Sequence, residues 1–236
     1  MMHCVGFSGL VFLCAMKMFD SFIIQPPQFL RVLFPHSFWR GPHSEKNGEA
    51  PTVYLTFDDG PVPEQTPWVL DLLASHGIKG TFFCVGENVH KHPEIFERLV
   101  REGHAVGNHT YNHVPLFRKG VTWRDYLENV DKCQEVMEQR PRLFRAPHGH
   151  ILPWRAWQLT RDRFSHLVFW DVMPMDYDNR LTPNEVAENV MRYVRPGSVI
   201  VLHDSIKAGE RKRVALTRTI EELKKRGWRF LTIGEE

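Results

Sequence analysis

Short apolar runs and helical stretches alternate along most of this chain, and that alternation leaves few folds open to it. Strand-like runs fall at about 53–57, 80–85, 104–108, 142–145, 166–171, 198–202 and 228–232. Helical stretches lie between them at about 64–76, 93–102, 122–138, 153–162, 182–194 and 211–226. Strand followed by helix, repeated, calls for a parallel sheet whose crossovers are the helices. The helix ends are written locally. Pro93 takes a first-turn position with Gly103 past the far end, Gly77 and Gly227 follow their own helices, and Thr182-Pro183-Asn184-Glu185 is a capping box. Trp123, Leu127, Val130 and Met137 recur at helical spacing and give their helix one core-facing stripe.

At 236 residues, 42% hydrophobic and 25% charged, the chain has globular composition and the length of one large domain. A net charge of +2 argues for no nucleic-acid partner and no acidic surface, and nothing points to an obligate protein partner. The cysteines, Cys4, Cys14, Cys84 and Cys133, show no close pairing, so neither a zinc knuckle nor a disulfide framework is indicated. Cys84 and Cys133 fall in expected core elements and read as small buried hydrophobes.

Residues 1–50 read as an apolar segment, arm and linker ahead of a domain spanning 51–236. The apolar stretch Cys4 to Met16 is 13 residues long, short for a bilayer span. No basic residues precede it as a secretory signal would want, and Met16 or Met18 fits a true start. These readings leave the compartment open, with a cytoplasmic location slightly favoured over cell-envelope association. Gln25 to Arg40, with its prolines and interleaved Phe29, Leu30, Leu33, Phe34, Phe38 and Trp39, reads as a hydrophobic arm packed on the domain, and Ser44 to Ala50 as a polar linker.

The first strand of the domain ends in Thr56-Phe57-Asp58-Asp59-Gly60-Pro61. Neighbouring strand side chains point to opposite faces, so adjacent carboxylates converge only where the chain leaves the sheet. There they repel, unless a cation divides their roles. His109 and His113 stand four apart in Gly107-Asn108-His109-Thr110-Tyr111-Asn112-His113, and a helical turn would put both imidazoles on one face. One carboxylate and two imidazoles make a three-ligand set with open positions, the pattern of catalytic zinc. By ligand softness, iron, cobalt or nickel would also suit it. Alone, each motif has a bland reading, a surface helix pair or a turn. Their weight comes from residues placed after other strands: Arg145, Asp176 and His203-Asp204. Polar clusters after five of seven strands favour a barrel over an open sheet with one switch point.

Thr56-Phe57-Asp58-Asp59-Gly60-Pro61, His109-x-x-x-His113, Arg145-Ala146-Pro147-His148-Gly149 and the Val199-to-Asp204 strand end resemble, in order, the motifs of NodB-homology polysaccharide deacetylases, carbohydrate esterase family 4. The resemblance covers roughly residues 51–234. It implies a single-domain α/β fold, a distorted (β/α)7-type barrel, and a divalent metal, usually zinc. The implied reaction is hydrolysis of an acetyl group from an N-acetylated or O-acetylated sugar or glycan. Carried over residue by residue, it makes Asp59, His109 and His113 the metal ligands and Asp58 the general base. Arg145 would orient the base, and His203 would serve as general acid with Asp176 as its carboxylate; Asp171, Asp178 and Asp204 compete for that last role. The backbone N–H of His148 would hold the oxyanion, with Pro147 and Val201 beside the substrate.

The sequence departs from the family's pattern at several points. Ala146 and His148 replace a proline and the tyrosine of the third motif. Met173 and Tyr177 stand at the first aspartate and the tryptophan of the fourth, which weakens the expected support for Arg145. Val201 replaces a leucine that lines the acetate-methyl pocket. Two other readings stay open: a metal-dependent hydrolase of a small amide or cyclic imide on the same barrel, and a non-catalytic carbohydrate-binding relative.

Overall fold

The computed structural model describes residues 20–42, 50–138 and 140–234. The apolar stretch Cys4–Met16, with Cys4 and Cys14, and all but the last residue of the 44–50 linker lie outside them. Eight strands are present among the described residues: β1 (Ser37–Phe38), β2 (Thr52–Asp58), β3 (Thr81–Cys84), β4 (Ala105–Asn108), β5 (Leu143–Phe144), β6 (His166–Val168), β7 (Val199–His203) and β8 (Arg229–Phe230). Among the described residues, the α-helices that follow β2 are α1 (Thr66–Ser75), α2 (Gly86–Lys91), α3 (Pro93–Arg101), α4 (Trp123–Val136), α5 (Pro153–Asp162), α6 (Pro183–Tyr193) and α7 (Gly209–Lys225).

All strand pairs are parallel, in the order β1-β6-β5-β4-β3-β2-β7, with β8 on the start of β2. Isolated bridges join Arg40 to Ser198 and Val172 to Ile200, so the β1/β6 side of the sheet reaches β7. The sheet therefore curls into the distorted barrel that the sequence pattern and motifs imply. Every residue of β2 is buried, because both faces of a parallel sheet are covered. One core packs Leu55, Phe57, Phe82, Ile200 and Leu202 against α1, α6 and α7. A second joins Phe144, Leu167 and Phe169 to α4, α5 and Trp39.

The capping box at Thr182 and Glu185 is formed, and a second one, Thr122 with Asp125, starts α4. Cys84 and Cys133 are buried free thiols, and burial pushes both thiols up, that of Cys133 to about 12. No helix among the described residues is long and apolar enough to cross a membrane.

The chain from Asp20 to Pro42 is tied to the barrel along its length. Trp170 Nε1 donates to the Ile23 carbonyl at 3.0 Å and the Met173 N–H to that of Ile24 at 2.8 Å. Arg31 pairs with buried Asp171 at 3.0 Å, and β1 adds to the edge of β6. Trp39 stacks on Phe169 with ring centroids 4.1 Å apart.

Candidate active site

Register brings the chemistry together. Asp58, last residue of β2, pairs with His203, last residue of β7, on the neighbouring strand. Asn108 at the end of β4 pairs with Phe144 at the end of β5, so His109 and Arg145 leave the sheet side by side. All these residues sit at the C-terminal edge of the strands, where barrel chemistry gathers.

The ligand atoms of Asp59, His109 and His113 all lie within 4.8 Å of one another. His113 Nε2 is 3.4 Å and His109 Nε2 3.8 Å from Asp59 Oδ1. His109 Nδ1 sits 2.8 Å from the Arg145 carbonyl, which fixes the tautomer: Nδ1–H donates and Nε2 keeps a lone pair. Burial holds this imidazole down to about 4, so it is neutral, as a ligand must be. The group thus fits a divalent ion by donor type, tautomer and convergence.

The expected helical turn is absent. Residues 109–113 are a loop, with Thr110 at φ 64° and His113 at φ 55°. The two imidazoles converge because the left-handed residues fold the loop back, with ring centroids 5.0 Å apart. Asp59 at φ 78° and His148 at φ 58° are left-handed too. Such conformations cost free energy in residues other than glycine, and their clustering at one site marks a geometry held for function.

Asp58 is 5% and Arg145 2% exposed. Burial alone would raise the Asp58 carboxyl, but the Arg145 guanidinium, helped by the protonated His203, outweighs it and holds the group below the usual carboxylate range. Arg145 Nη1 donates to Asp58 Oδ1 at 2.6 Å and to Thr56 Oγ1 at 2.9 Å. Its remaining donors reach the carbonyls of Val168 at 3.3 Å and Phe169 at 3.1 Å, and its plane lies over the Phe83 ring at 4.0 Å. Backbone carbonyls and Thr56, which the sequence reading did not single out, thus do the work expected of the aspartate that Met173 replaces.

His203 Nδ1 lies 2.7 Å from Asp176 Oδ1. Burial would lower this imidazole; the Asp176 carboxylate, helped by Asp59 and Asp58, reverses that and lifts it to about 9. The three competing carboxylates are committed elsewhere. Asp171 accepts from Arg31, Arg195 and Ser198, Asp178 pairs with Arg180, and Asp204 pairs with Lys212 and Thr66.

Asp58, Asp59, His109, His113, Arg145, His148 and His203 line one cavity of about 670 Å³, within the usual range of ligand sites. Two expected lining residues are not among its walls. Val201 is 1% exposed and faces Thr56 within the β2–β7 ladder, and Pro147 is buried beneath the turn it starts. Sequence reasoning missed the opposite wall, built from Phe22, Ile23, Pro26, Leu30 and Phe34 of the arm with Trp39, Phe169 and Trp170. Its proline-rich, aromatic composition signals a packed arm but not which surface it covers.

Comparison with known proteins shows the family. The family model described as "Polysaccharide deacetylase" matches residues 45–162, half of the 236-residue chain. A peptidoglycan-N-acetylglucosamine deacetylase of Bacillus cereus is 38% identical over 77% of this chain, which spans 66% of that relative's length. A chitooligosaccharide deacetylase of Sinorhizobium fredii is 37% identical over 76% of this chain and 88% of its own. The crystal structure of a peptidoglycan N-acetylglucosamine deacetylase, 34% identical, superposes with a TM-score of 0.77 over 88% of this chain and 94% of its own. The chain belongs to the polysaccharide deacetylase family of hydrolases.

Proposed function

We propose that this protein removes the acetyl group from an N-acetylated amino sugar. One observation carries the reading: a convergent Asp59/His109/His113 donor set, an anionic carboxylate and a proton-bearing imidazole face one cavity. Asp59, His109 and His113 would hold the divalent ion, and zinc is the ion proposed for this three-ligand set. When bound, it supplies polarisation of the acetyl carbonyl and a lower pKa for water at the site.

Asp58, held anionic by Arg145, takes the proton from the water that attacks the carbonyl carbon. The His148 N–H donates to no protein group among the described residues and so is open to the developing oxyanion. Collapse breaks the carbon–nitrogen bond. His203, whose Nδ1–H is held by Asp176, delivers its Nε2 proton to the leaving amine, and acetate is the second product. The relatives named above, deacetylases of peptidoglycan N-acetylglucosamine and of chitooligosaccharides, support this substrate class.

The test is acetate release from N-acetylglucosamine oligomers by zinc-loaded protein, against small amides and cyclic imides. Release from the oligomers alone supports the proposal. Turnover of the small amides alone would replace it with the other hydrolase reading.

A further inference from the structure

The cavity continues past the catalytic groups onto a wall with no side-chain hydrogen-bonding capacity. Phe22, Ile23, Pro26, Leu30 and Phe34 offer none, and the indoles beside them are already used. Trp170 Nε1 donates to the Ile23 carbonyl at 3.0 Å, and Trp39 Nε1 to Ser37 Oγ at 2.7 Å. Sugar rings do stack on aromatic faces, but a bound sugar also needs partners for its hydroxyls. Hydroxyls laid against this wall would lose water and gain nothing, an arrangement that strongly disfavours them. An apolar chain loses nothing there and gains by burial. Phe22 is 53% exposed, apolar surface left open at the edge of this same cavity.

The wall belongs to the arm, which lies before the residues matched by the family model. Its hydrogen bonds, the Arg31–Asp171 pair and the β1–β6 pairing hold it against the barrel, so it is a fixed part of the site.

We infer that the substrate's N-acetylated sugar carries an apolar chain, a glycolipid-like substrate whose chain lies on the arm wall while the acetamido group meets Asp58 and His203. The inference rests on the deacetylase reading and names its substrate class.

The test compares methyl and octyl β-glycosides of N-acetylglucosamine, the octyl compound below its micelle concentration, with N-acetylchitotriose as the polar extended substrate. For wild type, kcat/KM on the octyl glycoside should exceed that on the methyl glycoside by at least ~10-fold, given the gain per buried methylene. Phe22→Ser should cut that ratio ~5-fold or more, as pocket contacts of this size do. Val32→Ser, on the same arm, 80% exposed and outside the cavity wall, should leave it unchanged. Tryptophan fluorescence of the metal-free protein gives a readout without turnover: the octyl glycoside should bind more tightly than the methyl one, and Phe22→Ser should erase the difference. Equal kcat/KM for the two glycosides, or preference for chitotriose over the octyl glycoside, would overturn this inference while leaving the deacetylase reading intact. Acetate from none of the three would overturn both.

Discussion

Asp176 holds His203 at two points. Its Oδ1 faces Nδ1 of the ring and its Oδ2 accepts the His203 backbone N–H, each at 2.7 Å. The carboxylate therefore sets both the ring's orientation and its charge. With the imidazole lifted to about 9, the proposed acid is protonated at neutral pH and loses its proton as pH rises through that value. In Asp176→Asn burial remains and the main raising charge is gone, so the alkaline limb of the rate profile should move to lower pH. Turnover just above neutrality should fall ~10²-fold, the lower end of what general acid catalysis supplies. A limb that stays in place would mean that another group delivers the proton.

Asp58→Asn should keep its metal by elemental analysis and lose ~10²–10⁴-fold in kcat, because the amide takes no proton. Near-normal kinetics would remove Asp58 as the base. Arg145→Met acts on the same pair from the other side. It leaves a carboxylate buried without its cation, a loss of about 3–5 kcal/mol. The depressed carboxyl of wild type stabilises the fold above its unfolded value and loses that contribution as pH falls through the folded value. Urea titrations at neutral and acidic pH should show the two proteins converging in acid. A gap independent of pH would contradict the charge argument.

His109→Ala and His113→Ala should each lose bound metal by elemental analysis after dialysis. Retention of a full complement in either would remove that residue from the ligand set. Acid should do the same to wild type without mutation. In the metal-free protein the folded imidazole of His109 is depressed to about 4, so stability from its neutral form is present above the ordinary histidine value and lost as pH falls from there to about 4. Protonation competes with metal over the same window, and zinc release measured with a colorimetric chelator should track it.

Much of this was legible in the chain because it is local. The strand expected at 53–57 is Thr52–Asp58, and helix 182–194, with its capping box, is Pro183–Tyr193 behind Thr182. The candidate site residues were legible for a related reason: Asp58 and His203 end strands, Asp59, His109 and Arg145 follow strand ends directly, and a barrel gathers its strand ends around one mouth. The hidden part depends on contacts remote in sequence. β1 is two residues long and exists only because β6 lies beside it. Spacing four suggested a helix at His109–His113, but the Asn129 side chain and the Asn108 carboxamide hold the loop backbone instead. The apolar wall needs Ile23 to meet Trp170, 147 positions away, and no window of sequence shows that.

Beneath the Asp58–Pro61 turn lies an ion pair with no exposure at all. Lys212 Nζ from α7 sits 2.8 Å from Asp204 Oδ1, Thr66 donates to the other oxygen, and the Asp204 N–H donates to the Asp58 carbonyl at 2.7 Å. A Cβ on Gly60 would stand 2.9 Å from Asp204 Oδ2, so turn and carboxylate are in contact. Burial raises the Asp204 carboxyl even with Lys212 present. Lys212→Met keeps the packing volume and removes the cation, which should cost about 3–5 kcal/mol near pH 7 and lower Tm by ~10 °C. The sign with pH is fixed by the direction of the shift. A raised carboxyl favours the fold below its unfolded value and disfavours it as pH rises through the folded one, so the variant should approach wild type near pH 4 and fall behind as pH rises. Lys212→Met with Asp204→Asn should close most of the gap at neutral pH. A Tm difference that is the same at every pH, or that survives in the double variant, would show that Lys212 supports the turn by packing rather than by charge.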